Sequence, residues 1–326
     1  MLRRFTALLI STVSIIALAT QASFAATATS GSSDGMKVSP LRTELTIAPG
    51  GTSTVNIDIG NVTNSISRLK TVINDFTAKN ETGTPALYLK NSNVYNPHSL
   101  RQFVQPVGII TLQPHQQQVV KIVLKVPANT SGGGYYGAVR FEPVSSSSNK
   151  NVSLSASVAS LILLKVPGPG MKEQVSLSNF AVEDNSQTGS FFFSNKGLGV
   201  QAVFDNSGNV QEEPFGKIIV KNMSGKVVLV KDLNTGNPPG NVLPSSQRLF
   251  TIPLSHIGSF GKYTIYGNFG YGTTGQLLSA KTSFYVVAPW IIILAIVILV
   301  LIIGGIILMP KLFRAWYRRS VKKGNG

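Results

Sequence analysis

No cysteine occurs in the 326 residues of this chain. Disulfides, thiol nucleophiles, thiolate metal sites and a lipidated cysteine anchor are therefore excluded. Acidic residues are also scarce, 13 against 29 Lys and Arg, for a net charge of +16. Histidine occurs only at His98, His115 and His256, far apart and in none of the spacings that hold zinc. There is no Gly-x-Ser-x-Gly elbow and no phosphate-cradling glycine loop at a helix start. Two acidic pairs, Glu183-Asp184 and Glu212-Glu213, are adjacent. Neighbours on a strand point to opposite faces, so neither pair forms a shared acid–base site. The expectation is a non-enzyme with no catalytic residue, no metal site and no cofactor. Helical periodicity is nearly absent before residue 288.

Against these absences stands one long apolar run. Residues 290–309, WIIILAIVILVLIIGGIILM, carry no charge. As a helix rising ~1.5 Å per residue they match the roughly 30 Å of a bilayer core. Lys311, Arg314, Arg318, Arg319, Lys322 and Lys323 follow with no acid among them. Positive flanks stay on the cytoplasmic side, which places the rest of the chain outside. Trp290, Trp316 and the basic residues Lys311, Arg314, Arg318 and Arg319 are the expected membrane-interface residues. At the other end, Arg3 and Arg4 precede an apolar stretch and Ser23-Phe24-Ala25, the pattern of a secretory signal peptide over 1–25. Residues 26–36 are small and polar and read as a disordered leader. An exported chain of this size without disulfides suits a bacterial surface better than a eukaryotic one.

The exterior reads as strands and turns. Residues 54–59 alternate polar and apolar, and residues 118–126 put Val120, Ile122, Leu124 and Val126 on one face. Pro49-Gly50-Gly51, Thr82-Gly83-Thr84-Pro85 and a serine-rich hairpin loop over 145–150 punctuate the first series. Pro167-Gly168-Pro169-Gly170 cannot continue a central strand and marks a joint. A second series of eight short strands follows, with hairpin turns expected at residues 206–209 and 222–225. The expected fold is all-β: two immunoglobulin-like β-sandwiches, over 37–168 and 169–287, then a transmembrane helix over 288–310 and a basic tail over 311–326. Residues 37–168 hold twelve basic and five acidic residues, and residues 169–289 nine and seven. The basic excess thus lies in the membrane-distal half, where an anionic wall polymer is a plausible electrostatic partner. The charges form no block, and no nucleic-acid partner is expected.

Several segments together resemble a known family. They are Val38-Ser39-Pro40, Pro49-Gly50-Gly51, the run from Gly133 to Phe141, Leu243-Pro244, Gly261-Lys262-Tyr263, and Phe284 through Trp290 ahead of the span. The chain resembles the bacterial WxL-interacting surface proteins and their relatives. That resemblance implies a signal peptide, two immunoglobulin-like domains, one C-terminal span and a basic tail. It further implies a first domain that binds peptidoglycan, a second that docks partner proteins, and no enzymatic activity.

Two stretches stand out as candidate ligand-binding sites. Gly132-Gly133-Gly134-Tyr135-Tyr136-Gly137 joins glycines that permit close approach to tyrosines suited to sugars or peptides, and alternation lets only one of Tyr135 and Tyr136 face a ligand. The alternative is a glycine-rich turn feeding a core strand. The second stretch, residues 88–103, lacks periodicity and offers Tyr95, His98 and Arg101 as a binding insertion, or else is an ordinary loop. The candidate set is Gly133, Gly134, Tyr135, Tyr136, Tyr95 and Arg101. Five Asn-x-Ser/Thr triplets, at Asn61, Asn80, Asn129, Asn151 and Asn222, read as chance occurrences in an Asn- and Ser-rich bacterial chain, or as glycan acceptors in a eukaryotic one. The expected function is a non-catalytic, membrane-anchored surface protein that binds peptidoglycan or another wall polymer and docks a surface protein. The alternative is an assembly or adhesion protein using exposed sandwich edges. A wall hydrolase is the least favoured reading.

Overall fold

The computed structural model describes residues 31–33, 35–89, 96–144 and 157–323, with the side chains of 31–33 and 315–323 left out. The expected signal peptide, the loop over 145–150, Tyr95 and Asn151 lie outside the described residues, as do the side chains of Trp316, Arg318 and Arg319.

The first sandwich opens with β1 (Gly31–Ser33), β2 (Met36–Ser39), β3 (Arg42–Thr46), β4 (Thr52–Asn61) and β5 (Ser67–Asn74). A hairpin of β6 (Phe76–Lys79) and β7 (Thr84–Leu87) follows, then β8 (Ile110–Leu112), β9 (Gln117–Lys125), β10 (Gly133–Pro143) and β11 (Val158–Val166). One sheet runs β1-β2-β4-β9 and the other β3-β11-β10-β5-β8. Alternation explains the packing. Val55 lies opposite Ile122 and Ile57 opposite Val120, all four buried, and they meet Val139, Phe141, Ile162 and Leu164 of the facing sheet. Each such side chain contributes ~1.5–3 kcal/mol when fully buried. The leader expected over 26–36 gives way at Gly31, where β1 pairs with β2, and Met36 is already in the core. The small polar residues cost an edge strand little, because the backbone makes the ladder.

The second sandwich contains β12 (Val175–Asp184), β13 (Gln187–Gly189), β14 (Phe191–Phe192), β15 (Leu198–Asn206) and β16 (Phe215–Asn222). It is completed by β17 (Val227–Leu233), β18 (Ser246–Pro253), β19 (Phe260–Tyr271) and β20 (Gln276–Val287). Its sheets run β13-β12-β15-β18 and β14-β20-β19-β16-β17, around a separate core with Phe204, Phe269 and Phe284 at its centre. Residues 222–225 form the expected hairpin turn, between β16 and β17. Residues 206–209 do not: β15 and β16 belong to different sheets, so this stretch is a crossover. Asn206 ends β15 fully buried and donates to the carbonyls of Val210 and Val242 at 2.7 and 2.8 Å. Asn61 at the end of β4 repeats the arrangement, donating to the Ser65 and Gln113 carbonyls at 2.7 and 3.0 Å.

The Asn-x-Ser/Thr triplets have a physical reason. At Asn61, Asn80 and Asn222 the side-chain oxygen accepts from the backbone N–H of the residue two positions on, at 3.0–3.1 Å. The hydroxyl of that same Thr or Ser donates to it at 2.7–2.8 Å. These three triplets are Asx turns at strand ends.

β20 enters α1 (Pro289–Lys323) without a stalk, since the Ala288 N–H still donates to the Ser259 carbonyl at 2.9 Å. The segment from Pro289 to Arg314 is the one helix among the described residues long and apolar enough to cross a membrane. The helix runs on beyond the expected span boundary at residue 310 into the basic segment. Pro310 removes one backbone donor, yet the turns continue to Lys323 through a basic segment that suits a helix C-terminus.

Candidate functional site: the interdomain cleft

β10 is longer than its neighbour. It pairs with β11 from Gly133 to Phe141, but with β5 only from Ala138 onward. The vacated edge at its start is taken by residues of the 88–103 segment. The Tyr136 N–H donates to the His98 carbonyl at 2.7 Å, and the His98 ring Nδ1 lies 2.8 Å from the Gly134 carbonyl. The two stretches singled out in the sequence thus form one structure.

Alternation sends Tyr135 and Tyr136 to opposite faces. Tyr135 turns into the first core, edge-on to Phe103 at 4.8 Å between ring centres, with its hydroxyl donating to the Ser131 carbonyl at 2.9 Å. Tyr136 turns to the outer face of the sheet, which the β6–β7 hairpin and the second sandwich cover. There it meets Phe76 edge-on at 6.1 Å and His98 at 6.1 Å, and its hydroxyl donates to Gln211 Oε1 at 2.9 Å. Burial, with Glu212 and Glu44 nearby, pushes the Tyr136 hydroxyl well above its ordinary range and keeps it a donor. Both tyrosines are almost wholly buried, so each presents at most a ring edge. The glycines serve this packing. A Cβ on Gly134 would overlap the Tyr136 hydroxyl, and one on Gly137 would stand 2.8 Å from Leu100 Cβ. Gly133, with φ +154°, packs against Asn209 of the second sandwich.

A cleft of about 460 Å³ opens beside Tyr136, between the sandwiches. Asp75, Phe76, Tyr88 and His98 line it from the first domain, and Leu243 and Pro244 from the second. Asp75 sits where the chain leaves β5 for the hairpin. Its Oδ1 accepts from the Ser99 hydroxyl at 2.7 Å, and Arg101 lies 4.0 Å from Oδ2. The Tyr88 N–H donates to the Asp75 carbonyl at 2.9 Å, which anchors the backbone of a half-exposed ring. The cleft continues past Asp75 and Asn96 into a polar groove of about 700 Å³ with Arg101, Thr130 and Ser131. Arg101 and Tyr135 border the groove and Tyr136 borders the cleft, with Asp75, Asn96 and Pro97 shared between the two. Tyr88 opens the segment singled out in the sequence, whereas Asp75 and Phe76 were not anticipated. The sequence places Phe76 and Tyr88 twelve residues apart, and the hairpin brings Phe76 against Tyr136 and Tyr88 to the same cleft.

The seam behind the cleft is polar. Arg42 pairs with Glu44 of its own strand, with Glu213 at 3.1 Å, and donates to the Pro239 carbonyl at 2.9 Å. Asn241 donates to Glu44 at 3.1 Å, and Gly134 N–H to the Asn209 carbonyl at 2.7 Å. The Arg248 guanidinium lies between Gly83 of the β6–β7 turn and Gly240, where a Cβ would be 2.5 and 2.7 Å away. Burial, with Arg42 near, lowers its pKa. Burial also works to raise Glu173, but Lys165 at 2.8 Å and the Thr273 donors outweigh it and hold that carboxyl below its usual range. Glu212 goes the other way. It is buried, accepts only from Gly272 N–H at 2.9 Å on Oε2, and leaves Oε1 without a partner. Burial, with the Glu173 charge beside it, pushes Glu212 up to about 7, and burial with Glu44 raises Glu213. The joint at residues 167–170 is fastened by Gly132 N–H to the Pro169 carbonyl at 2.9 Å and Asn209 Nδ2 to the Gly170 carbonyl at 2.7 Å.

Of the expected membrane-interface residues, Trp290 is exposed in the first turn of α1, and Lys311 and Arg314 are exposed at its far end.

No protein-family model matches this chain, and no curated protein matches it in sequence. Similar solved structures include the class 5 fimbriae chaperone CfaA, 13% identical over 76% of this chain and 98% of its own, with a TM-score of 0.38. The YadV chaperone is 10% identical over 77% of this chain and 100% of its own, at 0.32. The Pseudomonas aeruginosa CupB2 chaperone is 11% identical over 74% and 97%, at 0.30. Nothing about the ligand or partner of this chain rests on these likenesses.

Proposed function

We propose that this chain is a non-catalytic, membrane-tethered bacterial surface protein, related to the WxL-interacting proteins, whose interdomain cleft binds a cell-wall glycopolymer such as peptidoglycan. The observation that carries the reading is a cleft in which the exposed Tyr88 ring stands beside Asp75 over the buried edges of Phe76 and Tyr136, adjoining a polar groove that holds Arg101. The half-exposed Tyr88 ring suits the C–H face of a sugar ring. A fixed carboxylate accepts from sugar hydroxyls, and a guanidinium pairs with the carboxylates of a peptide stem. Asp75 is the one carboxylate among the described residues lining the aromatic part, and Ser99 already holds it. Glycoside hydrolysis needs a pair across the scissile bond, ~5–10 Å apart, so the arrangement favours holding a sugar over cleaving it. The span orients both sandwiches outward, with the cleft one sandwich length above the membrane.

Sedimentation of the detergent-solubilised full chain with purified peptidoglycan tests the reading. The unaltered chain should co-sediment, and Asp75→Asn and Tyr88→Ala should each weaken retention. Loss of a charged hydrogen bond is worth ~1.5–3 kcal/mol, about tenfold to a hundredfold in Kd. No retention, or retention indifferent to both changes, would exclude the cleft. A second reading, partner docking by strand addition, draws on β17, an edge strand of its sheet that exposes Val227 and Val230.

A further inference from the structure

The end of the second sandwich nearest α1 is unusually apolar for a surface. Phe191, Phe193, Met223 and Phe260 are between 59% and 72% exposed. The registers place all four at that end. Phe260 lies opposite Val287, two residues before the helix begins, and at ~3.3 Å per residue its backbone is within about 10 Å of Pro289. Phe191 pairs with Tyr285 and stacks on its ring at 4.7 Å between centres, so Phe193 follows beside Val287. Met223 caps the β16–β17 hairpin with its sulfur 3.5 Å from where a Gly261 Cβ would be. Lys196, Lys226 and Lys262 are exposed at this end, and Asp184 lies 3.7 Å from where a Cβ on Gly197 would be.

A soluble domain gains nothing from exposing such residues. Here they are fixed next to a bilayer-spanning helix, because Ala288 is still bonded to Ser259 and leaves no slack. Aromatic and flexible apolar side chains with flanking lysines match the interfacial zone of a membrane. We propose that this tip is a lipid-facing surface. Phe193, Met223 and Phe260 seat in the headgroup layer of the leaflet where α1 begins, and the three lysines contact anionic phosphates. The second sandwich is thereby held upright, with the interdomain cleft at a fixed height. This inference rests on α1 spanning the membrane.

Because the chain has no native cysteine, single substitutions report cleanly. Met223→Cys and Phe260→Cys, each labelled with an environment-sensitive fluorophore, are placed as full chains in vesicles of phosphatidylcholine and phosphatidylglycerol. Quenching by lipids carrying a nitroxide near the headgroup is then read. Leu277→Cys, at the other end of β20, serves as the solvent control, and Ile298→Cys in mid-helix reports the span itself. Labels at 223 and 260 should be quenched severalfold more than at 277, and the effect should weaken when phosphatidylglycerol is left out. Quenching at 298 by deep nitroxides, with 223 and 260 no different from 277, would overturn the proposal while leaving the span intact. A blue-shifted but unquenched label at 223 and 260 would mean that a second copy covers the tip, and would also overturn it. No quenching at 298 would remove the span on which the inference rests.

Discussion

Replacing Glu212 with glutamine should abolish one component of the pH dependence of stability. Glu212 is buried at the domain seam, with Glu173, Glu213, Lys165 and the Gly272 N–H around it. Burial and the Glu173 charge lift its pKa from 4.5 to about 7 in the folded state. Between those values the folded chain keeps a proton that the unfolded chain has released. Stability therefore falls as pH rises through this window, by ~1.4 kcal/mol per unit, and levels off above about 7. The full displacement is worth at most ~3 kcal/mol. Glutamine mimics the protonated carboxyl at every pH, while Glu173 and Glu213 titrate in both proteins and largely cancel in the comparison. Urea unfolding of the full chain, followed by circular dichroism at pH 5, 6, 7 and 8, gives the difference directly. The variant should match the parent at pH 5 and exceed it by ~2–3 kcal/mol at pH 8. A difference that stays constant with pH would refute the reasoning, and one that grows toward acid would reverse its sign.

Other expectations follow from single contacts. Gly134→Ala drives a methyl into the Tyr136 hydroxyl and the Gln211 carboxamide; overpacking of this kind costs ~1–3 kcal/mol, read as a lower unfolding midpoint, and wall-polymer retention should fall with it. Asn206→Ala leaves the buried Val210 carbonyl without that donor, while the Val242 carbonyl keeps the Glu212 N–H; a loss of ~1–3 kcal/mol is expected for the unsatisfied group, with faster amide exchange at residues 207–212. Asn61→Ala should do the same to the first sandwich, and an intact midpoint in either variant would count against these buried amides as structural keys.

Alternation made the sandwich strands legible, and an uncharged run made the helix legible, because both depend on local periodicity. Alternation also told that Tyr135 and Tyr136 diverge, but not what lies over the second face. That cover comes from β6–β7 and from Leu243, elements brought in by long-range topology. Turn chemistry at residues 206–209 points to a hairpin that the fold does not make, since Asn and Gly serve a crossover between sheets equally well. The Asn-x-Ser/Thr triplets carried a signal that composition obscured: in three of them the Asn oxygen and the downstream hydroxyl close a turn. The candidate site was half visible. Arg101, Tyr88 and the glycine–tyrosine run fall in stretches the sequence singled out, whereas Asp75 and Phe76 join them because the hairpin marked by the turn at residues 82–85 folds back onto the sheet. Glu212 beside Glu213 looked like two residues on opposite faces, and they do diverge, toward Gly272 and Arg42. The proximity of Glu173 arises from the folding of the domain joint.

Blocking the cleft tests the central claim most directly. Thr77 lines it from the β6 strand, and Thr77→Cys offers a single thiol for a bulky maleimide without touching Asp75, Tyr88 or Arg101. The unlabelled variant should sediment with peptidoglycan like the parent chain, and the labelled one should lose that retention. The same label at Leu277→Cys should change nothing. Retention that survives the label at position 77 would contradict a binding site between the two sandwiches.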